Sequence, residues 1–333
     1  MEIRKLNSIR ALAALIVLIT HFSDATGWLD GKLGGRAGQY GVMLFFLLSG
    51  FLMSYLYLAK DFNFQSSKNY IVARVARVIP LFFLLVFLSY TLEQHGWHGL
   101  YSISEWHQVL SHLMFLKGES VLWSIAPEVQ FYLIFVGLWF ITAWKHYCLY
   151  FVVISSLIII LFSDFPRPTG SVYGLEYDLH LFRSLPYFLV GVLFGKHYRS
   201  LSIPNNLMSQ WFVLALILIP LLYPKLSPLN SATTHRMWLN YEILLVMSTV
   251  FFAIVYLVPD KSLLLSNPIG DFVGKISYSL YLLHMPLLPV VTNLAISVEW
   301  QLILFILISV TAAFCSYHLV EKPAAKWIRK LIR

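Results

Sequence analysis

"NSIRALAALIVLITHF", residues 7–22, is an apolar run with Arg10 near its start and His21 close to its end. Eleven steps of about 100° return the two side chains to one helix face, about 16 Å apart along the axis. Ionisable groups in hydrocarbon are costly and face a bundle interior or a wet cavity. The stretch therefore reads as a membrane helix packed inside a bundle. It is short for a crossing and begins basic, like a leader peptide. The following "HFSDATGWLD" offers only a poor small-x-small cleavage site, so an uncleaved helix is expected.

The rest of the chain agrees. Of its 333 residues 59% are hydrophobic and only 12% charged, with a mean hydropathy of +0.72; a soluble domain carries about a quarter charged residues. The apolar residues lie in repeated long runs, without the alternation a barrel needs. The expected fold is all-α: a polytopic helical bundle of about ten transmembrane helices, at 9–24, 38–58, 78–93, 126–143, 147–163, 181–198, 209–223, 240–258, 272–291 and 300–318. With the N-terminus in the cytoplasm and spans alternating, seventeen basic residues, from Arg4 to Arg333, fall inside. Seven fall outside: Lys32, Arg36, Lys117, Arg167, Arg183, Lys225 and Arg236. That asymmetry is the positive-inside pattern and places both termini in the cytoplasm. The net charge of +8 then serves topology and anionic headgroups, and no nucleic-acid partner is expected. Cys148 and Cys315 read as buried packing residues, without a disulfide or a CxxC site.

Two groups stand out as chemistry. His21 reads as a general base near neutral pH or as a histidine bonding between helices. In "YIVARVARVIPLFF", Arg74 and Arg77 are neighbours at the cytoplasmic start of a span. Guanidinium forks suit phosphate, while the plainer reading is charge that sets topology.

The ordered set of Arg-x10-His, "FFLLSGFLMS", RxxR before "VIPLFF", "LWSIAPEVQFYLI", "ISYSLYLLHMPLL" and "SYHLVEKPAAKW" resembles the acyltransferase-3 family of membrane acyltransferases, from one end of the chain to the other. The resemblance implies transfer of an acyl group, usually acetyl from cytoplasmic acetyl-CoA, to a sugar hydroxyl across the membrane. Acceptors of that kind include lipopolysaccharide O-antigen, exopolysaccharide, peptidoglycan and some antibiotics. It implies that His21 and Arg10 are essential and that Arg74 and Arg77 handle acyl-CoA, with Arg10 able to join them. The chain departs from the family pattern at Pro127, where an apolar residue is usual, and at Val129, where a second Glu is frequent.

Glu128 is expected near the outer end of its span, beside His21, where a carboxylate would orient the imidazole. Trp123 would anchor the helix at the interface or stack on a sugar. Tyr281 and His284 continue a polar stripe from Ser277, read as a channel wall or as glue between helices. Trp123, Gln130, Tyr281 and His284 are the expected acceptor-binding residues. "SGF" at 49–51 reads as close helix packing, and Lys322 as a topology charge or a contact to CoA. His95, His98, His107 and His112 come without HExxH or paired cysteines, so no metal is expected.

The resulting expectation is a multi-pass O-acyltransferase of a bacterial inner membrane. It is a single domain over 1–333 without an added soluble domain. Its catalytic pair is His21 and Glu128. Its partners are acetyl-CoA, a glycan or lipid-linked glycan, membrane lipids and, if transfer is completed elsewhere, a separate extracytoplasmic protein. The alternative is a transporter or channel whose intramembrane Arg and His relay ions.

Overall fold

The computed structural model describes residues 3–163, 167–227 and 237–331; Arg236 and Arg333 of the charge count lie outside them. Helix α1 (Arg4–Thr26) ends at Gly27, whose φ of 70° lets its N–H reach the Ser23 carbonyl at 3.0 Å. After α2 (Gly38–Tyr57) comes α3 (Phe64–Gln94), started by Asn63, whose side chain accepts the Ser66 N–H at 2.8 Å. A short α4 (Trp106–Leu113), with a reciprocal Glu105–Gln108 cap, leads to α5 (Ile125–Trp144) and α6 (His146–Phe162). Then follow α7 (Leu181–His197), α8 (Tyr241–Phe252) with a π turn at Ala253–Leu257, and α9 (Pro268–Thr292). Helix α10 (Val298–Ser316) passes through a π turn, Tyr317–Glu321, into α11 (Lys322–Leu331).

Helical structure occupies each of the apolar segments. At 209–223 it is 3₁₀ helix, Gln210–Leu218 and Pro220–Leu222, rather than the α-helix expected there. Among the described residues, five helical stretches are long and apolar enough to cross a membrane: Arg4–Thr26, Gly38–Tyr57, Phe64–Gln94, Ser120–Trp144 and Val298–Leu331. This is a helical membrane protein. The all-α expectation needs one correction. Strands β1 (Thr169–Val172) and β2 (Leu175–Asp178) form an antiparallel hairpin. Its two-residue turn puts Tyr173 at φ 50° and Gly174 at φ 79°, the pair of positive angles that a tight hairpin requires. Lys117–Glu176 and Arg167–Asp178 ion pairs, with the Asp178 N–H on the Leu116 carbonyl at 2.8 Å, tie the hairpin down.

Helix α1 lies inside, packed on α2 and α9, while α2 packs on α7. Of its apolar window 67% is buried, against 17% for Val298–Leu331, which agrees with a helix shielded by others. Small residues allow the contacts. A Cβ at Gly50 would stand 2.1 Å from the Phe188 carbonyl oxygen, and one at Gly191 the same distance from that of Leu47. Forcing extra carbon into such a seam costs about 1–3 kcal/mol. "SGF" is thus a packing site at Gly50, as read. The cysteines are not core residues: Cys148 is half-buried and Cys315 exposed, on helices whose other faces also show large apolar side chains such as Phe151 and Leu307.

Candidate active site

Because α3 begins at Phe64, Arg74 sits roughly 15 Å along it, with Arg77 one turn further on, next to the apolar segment read at 78–93. That depth brings them to Arg10 of α1. One cavity is lined by all three guanidinium groups together with Ser49, Glu128, Tyr132 and Tyr281. Arg74 is nearly buried, its guanidinium carbon 5.8 and 5.7 Å from the Tyr57 and Tyr70 ring centres. Its Nε is enclosed without an acceptor. Among the described residues none of the three arginines has a carboxylate within ion-pair distance. One buried and two half-buried guanidinium groups that share a single carboxylate, none of them ion-paired, are poised for an anion from outside.

Glu128 belongs to this cavity and not beside His21 as expected. Its Oε1 accepts from the Ser49 hydroxyl and the Tyr132 hydroxyl, each at 2.8 Å. Glu128, in the first turn of α5, shares the cavity with the arginines, where its charge offsets theirs.

The partner of His21 is another histidine. His21 Nδ1 lies 2.9 Å from His284 Nε2, with the rings stacked at 15° and their centres 5.1 Å apart. His284 is almost fully buried, and its Nδ1 faces the carbonyls of Tyr281 at 2.8 Å and Leu280 at 3.2 Å. A carbonyl only accepts, so in the neutral pair Nδ1 of His284 carries the proton and its Nε2 is bare. His21 Nδ1 must then donate to that nitrogen. What remains is the lone pair on His21 Nε2, the arrangement of a general base. The helix that holds His284 is itself supported. Pro286 leaves the Leu282 carbonyl without its helical donor, and the Tyr101 hydroxyl donates to that carbonyl instead.

His21 lines a second pocket with Asp24, Arg36, Trp123, Val42 and Tyr281. Tyr281 and Val42 line both pockets, so they form the wall between arginines and imidazole. The tyrosine is fixed there: its hydroxyl donates to the Val121 carbonyl at 3.0 Å and accepts from Ser124 at 2.9 Å. Trp123 lines this pocket, its ring 4.6 Å from that of His180 and 5.4 Å from the Arg183 guanidinium. Burial and the neighbouring Arg183 charge push the His180 imidazole down to about 3. Two expected acceptor residues sit elsewhere. Gln130 lines neither pocket; its amide donates to the Phe115 carbonyl at 2.9 Å, pinning a residue at φ 56°. His284 lies behind His21 rather than on the pocket surface. Asp24 was missed, although three residues after His21 on one helix is a legible spacing.

A family model described as an acyltransferase domain, the acyltransferase-3 model, matches residues 3–320. The chain belongs to the acyltransferase-3 family. It is similar to YrhL of Bacillus subtilis (strain 168), provisionally named a peptidoglycan O-acetyltransferase: 25% identical over 361 residues, 96% of this chain and 54% of the relative. It is 25% identical over 357 residues to the O-acetyltransferase OatA of Staphylococcus aureus (strain NCTC 8325 / PS 47), covering 96% of this chain and 57% of OatA. The chain thus spans little more than half the length of these curated relatives. No solved structure matches it.

Proposed function

We propose that this acyltransferase-3 member moves an acetyl group from cytoplasmic acetyl-CoA to a carbohydrate hydroxyl on the far side of a bacterial inner membrane. In this reading it crosses that membrane about ten times with both termini inside. One observation carries it: an arginine-lined cavity and a histidine-lined pocket stand back to back across Tyr281. Such an arrangement suits an anionic donor on one side and a neutral hydroxyl on the other. The relatives named as O-acetyltransferases support the acetyl group and the oxygen acceptor.

Arg10, Arg74 and Arg77 hold the phosphate-bearing donor from the cytoplasmic side, each supplying charge-assisted bonds. Glu128, fixed by Ser49 and Tyr132, limits the repulsion among them. The thioester arm reaches past Tyr281 and Val42 toward His21. There the Nε2 lone pair takes the acceptor's hydroxyl proton as its oxygen bonds to the thioester carbonyl carbon. The carbon–sulfur bond breaks, and His21 returns the proton to the departing thiolate. His284, accepting from Nδ1, keeps the imidazole oriented throughout. Trp123 offers the acceptor sugar an aromatic face.

The test is purified chain in liposomes, supplied with radiolabelled acetyl-CoA and candidate glycans. Label should appear on a glycan hydroxyl, and His21→Ala should lower the rate about 100-fold or more while acetyl-CoA still binds. Undiminished transfer by that variant removes His21 from the chemistry. Solute movement without consumption of acetyl-CoA would instead mark a transporter.

A further inference from the structure

Beyond the arginine cavity lies a third pocket that this mechanism leaves unused. It is bordered by Arg10 and Arg77 on one side and by Lys275, Lys322, Lys326 and Arg329 on the other. Its one carboxylate, Glu321, is largely buried and accepts a hydrogen bond from the Ser279 hydroxyl. The π turn Tyr317–Glu321 produces this division of roles. It carries Glu321 inward against α9 and starts α11 at Lys322 with its basic residues outward. Helix α11 packs along α3, the helix of Arg74 and Arg77, so its cations extend the arginine cluster.

Other openings near Arg10 are poorer in charge. The one toward Leu52 and Tyr55 adds no cation beyond Arg10, Arg74 and Arg77. The one beside Lys261 contains Arg4 and Lys261, with Asp260 opposing them. The α11 pocket thus has the largest excess of cations. Through Arg10 and Arg77 it adjoins the arginine cavity, and that cavity adjoins the His21 pocket through Tyr281.

We propose that the pocket between α9, the π turn and α11 binds the phosphate-bearing nucleotide end of the acyl donor, with Lys322, Lys326 and Arg329 gripping the ribose 3′-phosphate. The inference rests on acetyl-CoA being the donor. With the nucleotide there, Arg10 and Arg77 stand where the diphosphate leads into the pantetheine arm, and the arm extends toward Tyr281. Anionic lipid headgroups carry the same phosphate chemistry and would approach α11 from the membrane surface. The experiment therefore separates the two.

The full chain is placed in nanodiscs of phosphatidylcholine alone, and binding of radiolabelled acetyl-CoA and acetyl-3′-dephospho-CoA is measured. The unsubstituted chain should prefer acetyl-CoA. The Lys326→Gln, Arg329→Gln double variant should bind acetyl-CoA about tenfold or more weakly and lose the preference, because the two substitutions and the missing phosphate remove the same bonds. Lys330→Gln, on α11 but outside the pocket lining, should change neither donor. Gel-filtration profiles matching the unsubstituted chain exclude misfolding of the variants. Equal weakening of both donors, or a preference that survives the double substitution, overturns the proposal. So does a variant that keeps full donor affinity and loses only its binding to phosphatidylglycerol vesicles, which assigns α11 to lipid. If the unsubstituted chain binds neither donor in any disc, the donor reading itself falls and the subsite with it.

Discussion

At the scale of single residues, the proposed base chemistry depends on which nitrogen of His21 is free. That is decided two contacts away, by the backbone carbonyls of Tyr281 and Leu280 acting through His284. Removing the imidazole of His284 leaves His21 Nδ1–H without an acceptor and lets the ring flip or change tautomer. His284→Ala should lower the transfer rate about 100-fold with little change in KM for acetyl-CoA, since the arginines are untouched. His284→Gln retains a carbonyl oxygen that can accept from Nδ1–H and should recover part of the loss. Equal rates for Ala and Gln would show that the pair is only packing. Arg10 and His21 were legible because helical spacing is local and intramembrane charge is rare. The pairing of His21 with His284 was not, because it joins α1 to α9 across 263 positions of sequence. Glu128 shows the same limit. Its helix was clear, but its direction depends on the hydroxyls of Ser49 and Tyr132.

At the scale of elements, the apolar runs made the helices legible, because each satisfies its own backbone hydrogen bonds in hydrocarbon. The β1–β2 hairpin was hidden by its size. Two strands of four residues leave almost no periodicity, although Gly174 between Val172, Tyr173 and Tyr177 is a turn signal. The hairpin leads through Asp178 to His180, at the start of α7 and under Trp123. His180 titrates near 3 in the folded chain, lowered first by burial and then by Arg183. An unfolded chain takes up that proton near the ordinary imidazole value of about 6.5. The folded state therefore has its full stability above that pH and loses it progressively as pH falls toward 3. Thermal unfolding followed in detergent at pH 7 and pH 5 should show this loss, and His180→Gln should reduce it. Identical pH dependence in both chains would mean that the buried imidazole is not the group responsible. His112, also lowered by burial, contributes in the same direction.

At the scale of the whole molecule, three pockets follow one another from the basic face of α11 through the arginine cavity to His21. The arginine cavity and the His21 pocket were legible from charge and spacing, because Arg10 and His21 lie on one face of one helix, whereas the α11 cations read as topology charge. The barrier between them was not, because Tyr281 acquires its place only when α9 meets α2 and the Ser120–Ser124 turn. A two-sided transferase needs such a wall, since water that reaches the thioester competes with the acceptor. Tyr281→Ala removes the ring and should join the two pockets. Hydrolysis of acetyl-CoA without acceptor should then rise roughly tenfold, while transfer to glycan falls. Tyr281→Phe keeps the ring, loses only the bonds to Val121 and Ser124, and should leak far less. Both rates can be read in one assay, by following free acetate and glycan-bound label. Hydrolysis that stays at its original level in Tyr281→Ala, with acetyl-CoA still bound, would place the barrier elsewhere along the series.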